Sequence, residues 1–70
     1  MTRKRTMSLN LSDDEMNSLD EVAARYDMSK TAIIRKALRM YLVIDGRMQN
    51  GERVFMEDEL LKKKSELVLL

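Results

Sequence analysis

Between Arg5 and Leu11 the apolar residues Met7, Leu9 and Leu11 alternate with the polar residues Thr6, Ser8 and Asn10. Strict alternation predicts a strand with one apolar and one polar face. No neighbouring segment offers this strand a partner, so its backbone donors and acceptors predict pairing with a second copy of itself. Two copies about a twofold axis would form an antiparallel ribbon, with Met7, Leu9 and Leu11 turned inward and Thr6, Ser8 and Asn10 turned outward. A two-stranded ribbon has the width that a DNA major groove admits.

The period then changes. Ser12-Asp13-Asp14-Glu15 is a capping box flanked by Leu11 and Met16 at staple positions, and its three acids suit the positive end of a helix dipole. Met16, Leu19, Val22, Ala23 and Tyr26 recur at helical spacing, which predicts a first helix from about Asp13 to Tyr26. Ser29 is a second cap, with Met28 and Ile33 repeating the staple. Ile33, Ile34, Ala37, Leu38, Tyr41 and Leu42 form an apolar face wider than one neighbour needs, as a helix in a dimer interface would have. This helix is expected to reach Ile44, with Gly46 as its left-handed terminating residue.

Beyond a turn at Gln49-Asn50-Gly51, Val54-Phe55-Met56 reads as a short strand and Leu67-Val68-Leu69-Leu70 as another. Between them Asp58 with Lys62 and Glu59 with Lys63 have the spacing that supports a helical turn. Ten large apolar residues from Met48 onward are too many for a plain disordered tail. The expected organisation is a flexible basic arm over 1–4, a DNA-binding and dimerisation domain over 5–46, and a small β-rich extension over 47–70 for oligomerisation or partner binding.

Composition narrows the function. A single 70-residue domain rarely draws more than roughly 3 to 5 kcal/mol from its own core. With no Cys for a disulfide and no His for a zinc site, oligomerisation is the remaining support. The same absence of His and Cys, with no glycine-rich phosphate loop and no Ser with a Lys placed as its base, argues against metal sensing, a cofactor and catalysis. The Met residues at helical spacing read as core filler. No apolar run has the length of a membrane span, and the expected location is the cytoplasm. Net charge is only +1, so its distribution matters more than its sum. Arg3, Lys4 and Arg5 precede the predicted strand; six acids and one Arg lie between Ser12 and Asp27; Lys30, Arg35, Lys36 and Arg39 stand without an acid between Ser29 and Ile44.

Strand, capped helix, short turn and capped helix in this order resemble the ribbon-helix-helix family of DNA-binding proteins, of the Arc, Met-repressor and CopG type. The residues that carry the likeness are Thr6-Met7-Ser8-Leu9-Asn10-Leu11-Ser12, Leu19 with Ala23, and Met28-Ser29-Lys30-Thr31 with Ile34, Ala37, Leu38 and Tyr41. It spans about residues 3 to 44. The fold class it implies is mainly α with one N-terminal β-strand, assembled as an intertwined homodimer whose core holds Met7, Leu9, Leu11, Leu19, Ala23, Ile34, Ala37, Leu38 and Tyr41. It implies base contacts from Thr6, Ser8 and Asn10. It places a phosphate at the start of the second helix, at Ser29 and Lys30; Thr31 beside them and the arm residues Arg3, Lys4 and Arg5, read from their charge before the strand, are expected to add phosphate contacts. Such turns commonly hold glycine where this chain has Asp27, a residue that tolerates the left-handed region.

The reading that follows is a dimeric transcription regulator, a repressor that occludes an operator in double-stranded DNA. Six short ribbon side chains per dimer point to several dimers binding side by side. The rival reading is an antitoxin whose extension, with Phe55, Leu60 and Leu67 to Leu70 as anchors, holds a toxin. A DNA-organising accessory protein is the third.

Overall fold

The computed structural model describes residues 3–68. Its elements are helix α1 (Asp13–Arg25), helix α2 (Lys30–Gln49), strand β1 (Phe55–Asp58) and strand β2 (Lys63–Glu66). The chain divides into two units, one ending at Ile34 and one beginning at Arg35.

The N-terminal strand expected over residues 5–11 is absent, and with it the two-stranded ribbon assigned to that end of the fold. Residues 3–12 have no regular secondary structure, and the strands among the described residues form a C-terminal antiparallel hairpin. The fold is therefore two helices followed by a hairpin, not a strand followed by two helices. The physical reason is that alternation sets which side chains share a face, while a strand exists only when its backbone groups are paired. No hydrogen bond among the described residues involves positions 3–11.

Both helices begin and end by local chemistry. The Ser12 amide donates to Glu15 Oε1 at 2.9 Å and the Glu15 amide donates to Ser12 Oγ at 3.1 Å, which completes the capping box. At the far end of α1 the Asp27 amide donates to the Ala24 carbonyl (3.3 Å) and the Met28 amide to the Ala23 carbonyl (2.9 Å). These are the two bonds of a Schellman ending. It requires a left-handed residue after the cap, and Asp27 supplies it at φ 51. Ala23 is the buried residue of this unit, with Leu11, Leu19, Val22, Met28, Ile33 and Ile34 half-buried.

Helix α2 ends the same way, but five residues later than expected. Gly46 lies inside the helix; Gly51, at φ 88, is the left-handed residue instead. The Gly51 amide donates to the Met48 carbonyl (3.0 Å) and the Glu52 amide to the Arg47 carbonyl (3.2 Å). Arg47, Met48 and Gln49 are good helix formers, so nothing at Gly46 forces a stop. Arg47 and Glu52 close the ending with a two-pronged ion pair, Nη2 to Oε1 at 2.9 Å and Nε to Oε2.

In the hairpin Phe55 faces Glu66, Met56 faces Ser65, Glu57 faces Lys64 and Asp58 faces Lys63. The first strand falls close to its expected place, but the second is the polar stretch Lys63–Glu66 rather than the apolar run from Leu67. Leu69 and Leu70 of that run lie outside the described residues, as do Met1 and Thr2 of the arm. The helical turn expected from Asp58 to Lys63 is a tight reversal. Asp58 Oδ1 accepts from the Leu60 and Leu61 amides, both at 3.0 Å, and Lys62 sits at φ 57. The short Asx-type bonds outcompete a further helical turn.

Candidate nucleic-acid interface

An anion-binding face needs exposed donors, positive potential and no acid in the way. The two helix starts differ on that last point. The first turn of α1 holds Asp13, Asp14 and Glu15, and the Glu15 carboxyl lies below its usual range, chiefly because the Ser12 backbone amide donates to it and then because of the Ser12 side chain. A phosphate approaching this end would meet three negative charges. The first turn of α2, Lys30 to Ile33, has none.

At that second start the Ser29 hydroxyl accepts from the Ala32 amide (3.1 Å), and the Ser29 carbonyl accepts from the Ile33 amide (3.1 Å). The amides of Lys30 and Thr31 belong to the opening turn, where no carbonyl of the helix can reach them. Ser29, Lys30 and Thr31 are all exposed. Caps and dipole thus leave backbone donors and a positive helix end facing solvent.

Lys30 is not idle. Its Nζ lies 2.7 Å from Asp20 Oδ1, with both side chains about half exposed (52% and 48%). An exposed pair of this kind is worth about 0 to 1 kcal/mol, so a phosphate can displace the carboxylate at small cost. Asp20 is the neighbour of this candidate site that sequence reasoning missed. Nothing in the spacing from residue 20 to residue 30 announces the contact, which depends on the left-handed turn at Asp27 between the two residues.

The outward-reading candidates Thr6, Ser8 and Asn10 are exposed, as are Arg3, Lys4 and Arg5, and none of the six joins an ion pair or hydrogen bond among the described residues. The side chains expected in a dimer core vary. Ala23 is buried; Leu11, Leu19 and Ile34 are half-buried; Met7, Leu9, Ala37, Leu38 and Tyr41 are exposed, Met7 at 78%. Among the described residues no group of His, Cys, Asp or Glu is arranged to hold a metal ion, and no helix is long and apolar enough to cross a membrane.

Set against known proteins, residues 5–45, more than half of the chain, match the family model described as ribbon-helix-helix protein, copG family. The chain belongs to the ribbon-helix-helix family, a family of DNA-binding transcription regulators that bind DNA as dimers. No curated protein and no solved structure matches it.

Proposed function

We propose that the chain acts as a homodimer and represses transcription by occupying a DNA operator. The family match over residues 5–45 is the observation that carries this reading. Two properties of the single chain support it. Large apolar side chains that should be covered, among them Leu38 (57% exposed) and Tyr41 (47%), stand open on α2. Exposed apolar area on this scale in a 70-residue chain favours association. The second is the uncommitted segment at residues 5–11, which carries three short polar side chains behind three consecutive basic residues.

In the dimer the two copies present Thr6, Ser8 and Asn10 together to the major groove. Asn10 can bind adenine through a bidentate pair, and the Thr6 methyl can meet a thymine methyl. Arg3, Lys4 and Arg5 supply phosphate charge, while Ser29, Lys30 and Thr31 supply the helix-end site. Base contacts set preference and phosphate contacts set affinity.

A reporter gene driven by the DNA upstream of the chain's own coding sequence tests the direction of regulation. Co-expression of the protein should lower reporter output, and Asn10→Ala should restore it while protein levels stay equal. Raised output with the wild-type protein would contradict repression.

A further inference from the structure

We propose that the outer edge of β2 docks against the same edge of a second copy of this chain, joining two hairpins into a four-stranded antiparallel sheet. Resting on the dimer proposed above, this contact links one dimer to the next. A two-stranded hairpin is marginal in water, and both outer edges of this one are open among the described residues.

The register identifies which groups the edge offers. The Leu67 amide donates to the carbonyl of Val54, the residue directly opposite it, at 2.7 Å. Pairs that exchange bonds alternate with pairs that do not, so Met56 with Ser65 and Asp58 with Lys63 turn their backbone groups inward. Lys64 and Glu66 on β2, and Phe55 and Glu57 on β1, therefore turn theirs outward. A twofold self-pairing must set outward residues against outward residues.

For β2 the register centred on Ser65 does so with matched charge: Lys64 faces Glu66 of the second copy and Glu66 faces Lys64 of the second copy. Centring on Lys64 or on Glu66 would oppose like charges. Along one row of the sheet the side chains then run Glu57, Lys64, Glu66 of the second copy and Phe55 of the second copy. Glu66 lies 3.6 Å from Arg53 and keeps 40% of its side chain exposed, which leaves carboxylate surface for a second cation. The β1 edge lacks such a register. Centred on Met56 it opposes Phe55 to Glu57, centred on Glu57 it opposes two carboxylates, and centred on Phe55 the two strands overlap at one position.

Cross-linking tests the pairing directly, because the chain has no cysteine of its own. Ser65 meets its own copy across the axis in a pair with Cα atoms about 4.5 Å apart, within disulfide range. Under mild oxidation of the full-length protein without DNA, Ser65→Cys should form covalent pairs faster than Leu60→Cys, a collision control at the 94% exposed tip. Adding Lys64→Glu should slow that reaction about tenfold, since two pairs turn from attraction to repulsion. Adding Glu66→Lys as well should restore it. Equal rates at the two positions, as when the edge takes another protein's strand, or a charge swap that restores nothing, would overturn the pairing. Sedimentation separates the two readings. Wild type at four chains or more, reduced to two by Lys64→Glu, supports the link between dimers. Wild type at two chains, reduced to one, retains the β2 contact and removes the helical dimer; two chains for both proteins overturns the link.

Discussion

The two glycines of this chain should respond to the same substitution with opposite signs. Gly46 lies within α2, and a Cβ built there meets nothing within 4 Å of its own chain. Alanine should stabilise the helix by about 0.5 to 1 kcal/mol, the usual difference between the residues in a helix interior reduced by nearness to the end. Gly51 also has open space around it, but its φ is 88. There the cost is in the backbone, and alanine should destabilise by about 1 to 2 kcal/mol. The variants should differ by roughly 1.5 to 3 kcal/mol, which for a domain of this size separates their melting temperatures by about 6 °C or more. Far-ultraviolet circular dichroism, melted at one fixed chain concentration, reads both. A fixed concentration matters because association shifts the midpoint. If Gly46→Ala were the destabilising change and Gly51→Ala neutral, the helix would end at Gly46 and not in the Schellman ending at Gly51.

Four further outcomes follow from the turn, the cap and the Lys30–Asp20 ion pair. In urea denaturation Asp27→Gly should stabilise the fold slightly and Asp27→Val should destabilise it by about 1 to 2 kcal/mol, because only the first relieves the left-handed backbone at φ 51. Ser12→Ala should cost about 0.5 to 2 kcal/mol by chemical denaturation. The Glu15 carboxyl is held below its usual range in the folded chain, so its contribution is present above the ordinary carboxylate pKa and fades as pH falls through the lowered value. Glu15→Gln should remove that portion of the acid-side slope; an unchanged slope would show that the carboxylate contributes nothing through the cap. Asp20→Asn should tighten DNA binding, up to about fivefold per copy, by freeing Lys30 and removing a negative charge beside the phosphate site. Weaker binding in a fluorescence-anisotropy titration would mean that Asp20 positions Lys30 rather than competing for it.

What could be read from the sequence was what is local. Ser12 with Glu15, Ser29 with Ala32 and the left-handed Asp27 all depend on residues within a few positions, and each is formed as the pattern predicts. The end of α2 is not legible from Gly46 alone, because Arg47, Met48 and Gln49 prolong the helix to a second glycine with the same ending chemistry. The second strand is hidden for a related reason. Hydrophobic alternation marks strands that bury a face, but Lys63–Glu66 is exposed along its length and is fixed by the turn at Asp58 and Lys62. Lysine at a positive φ carries no sequence signal. The alternation at residues 5–11 is real, yet it specifies a face and not a partner, so the single chain leaves the segment unpaired. At the candidate interface the donors of α2 were legible from Ser29 and the charge pattern, whereas the Asp20 contact to Lys30 required the turn geometry.

Binding of the purified protein to its own upstream DNA and to a scrambled duplex, across a salt series, tests the central claim most directly. With Arg3, Lys4, Arg5 and Lys30 of two copies on phosphates, as proposed, log affinity should decline steeply with log salt, and Lys30→Ala should reduce that slope by about 0.9 per copy on both duplexes. Asn10→Ala and Ser8→Ala should leave the slope intact and abolish the preference for the upstream DNA. Wild-type binding without preference, matched by both variants, would contradict base reading by residues 5–11.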